Sequence, residues 1–157
     1  MVQLSLQLHQ VDIPASVTWH DPCLLGRRSE IFVPWNGEIQ AYGLHVPPKV
    51  WRRGENGCYE EPRKLIRRIP GLEFTEMPRH AEEAWCCGGS ISETEPVLSG
   101  RIAKERRREA ASVNAEAVIT ACPFCEDSLQ KDAPEGFSCM DLTVLLARAL
   151  CGKEDAV

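Results

Sequence analysis

The sequence predicts a single α/β domain with a small, mostly parallel sheet that is flanked by helices. Short apolar runs of strand length alternate with segments in which apolar residues recur at helical spacing. This alternation is typical of parallel sheets whose crossovers are helices. A length of 157 residues suits one domain with its own core. Ligands of such domains gather outside the carboxyl ends of the strands, so the residues that follow each strand are the candidate site.

Four segments are predicted to be strands, because they are β-branched or alternate apolar and polar residues and then stop at a turn or a cysteine. They are residues 16–20, 72–77, 117–121 and 137–140. Pro22 ends the first strand, since proline lacks the donor that a continuing ladder needs. Cys23 therefore follows one strand end, Cys86 and Cys87 follow a second after a short loop, and Cys122 follows a third.

Three segments are predicted to be helices. The first covers residues 60–69, with Pro62 in its first turn and Pro70-Gly71 as its stop, and the second covers residues 96–113. The third begins after Asp141, a suitable cap, and carries leucines at helical spacing.

The second helix is expected to have a basic outer face. Its run Arg106-Arg107-Arg108 is predicted to lie in solvent, as such runs usually do. The alternative is a surface for an acidic partner or for substrate carboxylates.

We predict an N-terminal extension over residues 1–15, the domain over 16–150 and a tail over 151–157. Residues 29–57 are irregular, rich in proline and glycine, and are interpreted as an insertion with a hairpin that turns at Asn36-Gly37. Trp35, Tyr42 and Trp51 of this insertion form either a small satellite core or an interface.

Charge and hydropathy exclude several classes of function. A net charge of −5 argues against general binding to nucleic acid, and the sequence shows neither a membrane span nor a secretion signal. The expected location is the cytoplasm, or the periphery of a membrane complex. Eight cysteines in a reducing compartment then indicate a metal or redox role rather than disulfides.

The cysteine spacing favours a metal centre. Cys122 and Cys125 form a CxxC pair at a helix start, where both sulfurs can reach one centre and the helix amides favour thiolates. The adjacent Cys86 and Cys87 are awkward ligands for one tetrahedral ion, because neighbouring side chains diverge, whereas a multi-iron cluster offers separate corners. From the residues alone both zinc and an iron-sulfur cluster remain open, and the adjacent pair favours the cluster.

Several motifs together resemble one known family. WHDPCLLGRR, YEEPRKLIRRIPGLEFTEMPRH, WCCGG and ITACPFCEDSL are similar to the cysteine-rich CCG domain of heterodisulfide reductase and of glycolate oxidase iron-sulfur subunits. The resemblance covers residues 16–150 and is to a single copy of the C-terminal type. The family commonly carries two copies, and its gap between the first two cysteine motifs is shorter than here.

This resemblance implies a cofactor, its ligands and partners. The cofactor would be an iron-sulfur cluster of the 4Fe-4S type, noncubane as in heterodisulfide reductase, held by Cys23, Cys86, Cys87, Cys122 and Cys125. The chain would be a subunit or domain of an oxidoreductase that transfers electrons and reduces a disulfide at the iron. One implied partner is a ferredoxin-like or flavoprotein subunit that donates electrons, because no ferredoxin-like cysteine run is present. The other is a second CCG domain, because the family commonly carries two copies.

Two other functions compete with this one. The first is a zinc-stabilised structural or interaction module that uses Cys23, one cysteine of the adjacent pair, Cys122 and Cys125. The second is a cluster-free thiol-disulfide oxidoreductase in which Cys122 attacks and Cys125 resolves.

Residues outside the matched ligand positions are given structural roles. Cys58, Cys139 and Cys151 are expected to be ordinary apolar or free cysteines. His20 is expected to be a structural group, and the alternative is a donor to cluster sulfur or substrate.

Overall fold

The computed structural model describes residues 14–151, so most of the predicted extension and tail lies outside the described residues. Six strands are described, in chain order β1 (Ser16–Trp19), β2 (Glu38–Ile39), β3 (His45–Val46), β4 (Glu73–Phe74), β5 (Ala117–Thr120) and β6 (Ser138–Asp141). The helices are α1 (Glu60–Ile66), α2 (Pro96–Ala111), α3 (Pro123–Gln130) and α4 (Leu142–Cys151). Strands and helices alternate as the sequence predicts.

The main sheet has four parallel strands in the order β4-β1-β5-β6. The predicted α/β class is therefore confirmed. Strand β5 is buried along its whole length, in agreement with its continuous apolar sequence. The edge strand β4 is only two residues long, shorter than predicted, because its pairing with β1 is limited to Glu73 and Phe74.

The sheet separates two apolar cores. Val17, Trp19 and Ile119 face the first core, which α1 and α4 cover. Val118 points to the opposite face, as alternation along a strand requires, and lies in the second core between β5, α2 and α3. Three of the predicted ligands belong to that second core, namely Cys87, Cys122 and Cys125.

The arginine run on α2 is not a solvated face. Arg106 is 1% exposed and Arg107 is 9% exposed, so the prediction is wrong for both, while Arg108 does lie in solvent. Arg107 donates to Leu129 O at 3.2 Å and Lys131 O at 3.0 Å. These are carbonyls at the C-terminal end of α3, which lack helical partners and attract a cation.

The insertion does contain a hairpin, but its turn is not where the sequence predicts. Strands β2 and β3 pair antiparallel around a single turn at Ala41–Gly43, in which Tyr42 has φ +63°. Asn36-Gly37 precedes the hairpin instead. Gly37 is needed there for close packing, since a Cβ at this position would lie 2.5 Å from the carbonyl oxygen of Val46.

Two of the three insertion aromatics form a small satellite cluster. The Trp35 ring lies 4.8 Å from His45, whose ring lies 5.4 Å from Trp51. The Lys49 ammonium lies 4.3 Å from the centroid of Trp51, close enough for a cation–π contact. Tyr42 stays outside this cluster and is fully exposed at the hairpin turn.

Among the described residues, none of the helices combines the length and the apolar character that crossing a membrane requires.

The carboxylate of Asp21 ties three parts of the fold together. Asp21 is 3% exposed and accepts hydrogen bonds from Trp19 Nε1, from the backbone N–H of Ala81 and from both terminal nitrogens of Arg63, each at 2.8 Å. Burial alone would raise the pKa of Asp21, but the hydrogen bonds and charge of Arg63 outweigh burial and hold that pKa below 3.8. The end of β1, helix α1 and the loop before the cysteine pair are thus joined at one ion pair.

We expect Asp21→Asn to lower the free energy of unfolding by about 3 kcal/mol, because it leaves the buried Arg63 charge without its bidentate partner. Urea unfolding at neutral pH measures this. The difference from the unchanged protein should shrink as the pH falls below about 4, since a carboxylate with a depressed pKa stabilises the fold above its unfolded value of 3.8.

The matched control is Glu61→Gln, which makes the same chemical change at an exposed ion pair with Lys64. It should leave stability nearly unchanged. Equal effects of the two substitutions would show that Asp21 does not tie these segments together.

Candidate metal centre

All five predicted ligand cysteines line one cavity of about 470 Å³ at the carboxyl edge of the sheet. Cys23 follows β1, Cys122 follows β5, and the adjacent pair lies in the loop between β4 and α2. The other lining residues include exposed side chains at the rim and small residues of the loop before α2; they are Leu24, Arg28, Gly89, Ser90, Ser92, Glu93, Thr94 and Phe124. The fold therefore collects sulfurs from three distant parts of the chain.

The five sulfurs are spread around this cavity rather than gathered at one point. The Sγ atoms of Cys87 and Cys125 are 3.2 Å apart. Within residues 14–151, only one set of three potential ligand atoms lies within 4.8 Å of one another, and it consists of Cys87, Cys125 and a ring nitrogen of His20. Cys23, Cys86 and Cys122 line the same cavity but do not belong to this set.

The paired cysteines occupy a loop that is fixed by hydrogen bonds. The backbone N–H of Gly88 donates to Cys86 Sγ at 3.2 Å and that of Gly89 donates to Cys87 Sγ at 3.4 Å. Ser128 of α3 donates to Cys87 O at 2.6 Å. The loop thus presents its amides to the sulfurs, where they favour negative charge.

Glycine is required at two places in this loop. Gly88 has φ +85°, a backbone conformation that side chains disfavour. A Cβ on Gly89 would lie 2.5 Å from Phe124 O, so the loop can pack against α3 only without a side chain there. Close packing at Gly89 thus brings the two cysteine motifs together.

The CxxC pair lies where strand β5 passes into α3. Pro123 is the first residue of that helix, and the backbone N–H of Cys125 donates to Cys122 O at 3.0 Å. Cys122 is 8% exposed and Cys125 is 4% exposed. Such burial does not suit an attacking thiol, which must be accessible to its substrate.

Cys23 is the most polar of the five positions. Arg27 donates to its Sγ at 3.0 Å and, from the same guanidinium, to Ala84 O at 2.6 Å. Arg27 was not singled out from the sequence, although it lies in the CLLGRR segment that the family resemblance includes. It links the first cysteine to the loop that carries the second and third.

Without a metal the thiols of Cys23 and Cys87 hold their protons firmly. The hydrogen bond to Cys125, with burial in addition, raises the pKa of Cys87 to about 12. The hydrogen bond to Cys86 and then burial raise the pKa of Cys23 above its usual range, although Arg27 opposes the shift. Crowded thiols of this kind become thiolates when a cation binds them, which suits ligands better than free nucleophiles.

The other cysteines lie away from the cavity. Cys139 is buried in β6, where burial raises its pKa to about 12, in agreement with a structural role. Cys58 precedes α1, and its Sγ is 3.5 Å from a carboxylate oxygen of Glu61. The side chain of Cys151 lies outside the described part of the structure.

The His20 ring makes a hydrogen bond through only one of its two nitrogens. The ring is fully buried and its Nδ1 accepts from Arg106 Nε at 3.0 Å, while Nε2 has no partner in the protein. Burial and then the charge of Arg106 lower the pKa of His20 to about 3, so the ring is neutral. The burial of Arg106, Glu109 and Ser128 was not foreseen, because a polar or charged side chain on a helix gives no sign of burial in the sequence.

The chain is thus a parallel α/β domain with a cysteine-lined cavity at the carboxyl edge of its sheet. The family model of the cysteine-rich domain called CCG matches residues 42–130, more than half of the chain. The chain belongs to the CCG cysteine-rich domain family. The matched residues contain four of the five cavity cysteines, and Cys23 precedes them.

Curated relatives agree with this assignment. A subunit of the dihydromethanophenazine:CoB–CoM heterodisulfide reductase of Methanosarcina acetivorans is 34% identical over 144 residues, which is 86% of this chain and 28% of that protein. A subunit of the fumarate reductase (CoM/CoB) of Methanothermobacter marburgensis is 32% identical over 139 residues, 85% of this chain and 22% of that protein. An uncharacterized iron-sulfur protein of Methanocaldococcus jannaschii is 32% identical over 145 residues, 85% of this chain and 23% of that protein. This chain therefore spans about a quarter of the length of these relatives.

We expect Gly89→Ala to destabilise the protein by about 1–3 kcal/mol, because a methyl group would push the cysteine loop away from Phe124 O. The matched control is Gly100→Ala in α2, where an added Cβ meets nothing within 4 Å. That change should stabilise the helix by about 0.5–1 kcal/mol. Thermal unfolding of the metal-free proteins measures both, and destabilisation of the two variants alike would contradict the packing described for the loop.

Proposed function

We propose that this chain is the cluster-binding domain of a heterodisulfide-reductase-like oxidoreductase. Cys23, Cys86, Cys87, Cys122 and Cys125 would hold an iron-sulfur cluster, as the resemblance implies. The observation that carries the proposal is that five thiols from three segments line one cavity. The family assignment and the iron-sulfur relatives support the same chemistry.

The spread of the sulfurs favours a cluster over a single zinc ion. Zinc–sulfur bonds of about 2.3 Å in a tetrahedron place ligand sulfurs roughly 3.8 Å apart. Four cysteines ready for zinc would therefore all lie within 4.8 Å of one another, whereas no more than two cysteines of the described chain join such a set. A cavity of about 470 Å³ is also far larger than the space of about 30 Å³ that one water molecule occupies in the liquid. Several metal ions with bridging sulfides suit this volume, and five ligands suit the noncubane type.

When bound, the cluster would accept and pass electrons and offer iron atoms that bind thiolate sulfur. Hydrogen-bond donors of this chain would stabilise the negative charge of the cluster and its thiolates. Arg27 and the amides of Gly88 and Gly89 donate to cysteine sulfurs, and each donor stabilises negative charge on sulfur. The burial of Cys122 and Cys125 excludes water from the inner side of the cavity.

A substrate would reach the cavity from the side of Cys23 and Cys86, which are only half-buried. Leu24 and Phe124 line this rim and are 58% and 66% exposed. Arg28 stands beside them. An apolar rim next to a guanidinium suits an organic disulfide that carries an anionic group.

Reduction of one disulfide consumes two electrons and two protons and yields two thiols, so the electrons must come from elsewhere. Outside the cavity the described chain has only Cys58 and Cys139 with described side chains, too few for a second cluster. We therefore propose an electron-donating ferredoxin-like or flavoprotein partner, and a second CCG domain beside this one. The cytoplasmic location expected from the sequence stays a prediction.

We expect protein purified without oxygen to contain iron and acid-labile sulfide in equal amounts. Cys122→Ala should lose most of both, because it removes a ligand from the inner wall of the cavity. Cys58→Ala is the matched control and should keep both, since its sulfur lies outside the cavity. Metal and sulfide analysis with visible absorption measures this, and stoichiometric zinc without sulfide would instead establish the zinc module.

Loaded protein that is supplied with electrons by a chemical reductant should convert a small organic disulfide into two thiols per disulfide. Phe124→Glu should slow this reaction at unchanged iron content, because it places a negative charge at the rim of the cavity. Thiol release after removal of the reductant measures the rate. Unchanged electron uptake without any thiol release would limit the domain to electron transfer.

A further inference from the structure

The His20 side chain occupies a fixed position behind the cysteine cavity. Its backbone N–H donates to Ile119 O at 2.8 Å, and its carbonyl accepts from Thr120 Oγ1 at 3.3 Å, so strand β5 holds the residue. The ring is fully buried. A ring nitrogen lies within 4.8 Å of the sulfurs of Cys87 and Cys125.

Arg106 decides which ring nitrogen carries the proton. Its Nε donates to His20 Nδ1 at 3.0 Å, and a guanidinium has no lone pair with which to accept. Nδ1 must therefore be the acceptor, and the proton of the neutral ring lies on Nε2. Arg106 is itself held in place, since Nη1 donates to Glu109 Oε2 at 2.7 Å and to Arg79 O at 2.8 Å.

The Nε2–H group is left without a partner in the protein. A buried N–H that makes no hydrogen bond costs about 1–3 kcal/mol, so a partner is expected. Because Nδ1 is taken up by Arg106, Nε2 is the nitrogen that is free to interact with the sulfurs of Cys87 and Cys125. The acceptor is therefore sulfur, either of a ligand thiolate or of a bridging sulfide.

The same geometry argues against His20 as a sixth metal ligand. A metal would need the lone pair of Nε2, which would move the ring proton to Nδ1. That proton would then point at the Nε–H of Arg106, so that two donors would face each other. The buried ion pair between Arg106 and Glu109 holds the guanidinium in this position.

We propose that His20 donates an Nε2–H hydrogen bond to sulfur at the Cys87–Cys125 side of the cluster, and that Arg106 fixes the ring in the tautomer that can donate. His20 is a positioning residue that makes the cluster easier to reduce, because a hydrogen bond to sulfur stabilises the more negative, reduced state. This inference rests on the proposed cluster. It adds a determinant of reduction potential that is not one of the five cysteines.

The first test uses the unchanged, metal-free protein and does not depend on a cluster. Nitrogen-15 and proton NMR of histidine-labelled protein should show the His20 ring neutral, with its proton on Nε2 and coupled to that nitrogen. The resonance is assigned by its loss in His20→Gln. A ring that is protonated on Nδ1, or charged at neutral pH, would overturn the proposal.

The second test measures reduction potentials of cluster-loaded proteins by redox titration. His20→Leu should shift the potential to a more negative value, and His20→Gln, which keeps an N–H donor of similar reach, should recover part of that shift. His80→Leu is the matched control at an exposed histidine and should leave the potential unchanged.

Iron and sulfide are determined in each sample, which separates the two possible failures. Full loading of His20→Leu with an unchanged potential would overturn the role of His20 and leave the proposed function intact. Unchanged protein that holds no cluster would overturn both. Should His20→Leu fail to fold, the tautomer found in the unchanged protein decides the proposal.

Discussion

The arrangement of the site depends on one buried ion pair, between Asp21 and Arg63. Asp21 stands two residues before the first cysteine, and its carboxylate also accepts the Ala81 amide, at the start of the segment that leads to the cysteine pair. Two cysteine-bearing segments that are far apart in sequence are therefore bound to the same carboxylate. Helix α1, which bears Arg63, has no residue in the cavity, and its contribution to the site is this ion pair.

A second buried polar network lies on the opposite side of the cavity. It runs from Glu109 through Arg106 to His20, one ring nitrogen of which lies within 4.8 Å of the sulfurs of Cys87 and Cys125. Buried charges are tolerated when they are paired and hydrogen-bonded, and here two of the three groups form an ion pair. Helix α2 thus contributes to the site without supplying a ligand. Its arginines serve two purposes, since Arg107 completes the end of α3 while Arg106 orients the histidine.

Much of the fold and the candidate site could be predicted because both depend on local sequence signals. The apolar run of β5 and the motifs that follow each strand predicted a parallel sheet with the five cysteines at one edge, and the structure brings these residues together. Periodicity could not show which face of α2 is buried. The apolar Val97 and Leu98 are exposed, whereas Arg106 is not, because the packing of α2 against the rest of the fold is a tertiary effect.

The position of the turn in the insertion hairpin also could not be predicted from local sequence signals. Asn36-Gly37 is a favourable turn sequence, but in the structure Gly37 packs against β3. The partner of His20 Nδ1 likewise could not be foreseen, since it lies 86 positions farther along the chain. Long-range hydrogen bonds of this kind decide which ring nitrogen of a histidine carries the proton, and they cannot be read from a single sequence.

The close packing of Gly89 against Phe124 O would affect the rate of electron transfer at the proposed cluster. It joins the loop of paired cysteines to the first turn of α3, and the Ser128 hydrogen bond to Cys87 O joins them a second time. The adjacent cysteine pair and the CxxC pair are thus held together by packing and by a hydrogen bond. An electron moves quickly to or from a centre whose surroundings relax little when the charge changes, and protein dipoles that are already fixed keep this relaxation small. The absence of a side chain at one glycine would therefore help to keep the reorganisation energy of the proposed cluster low.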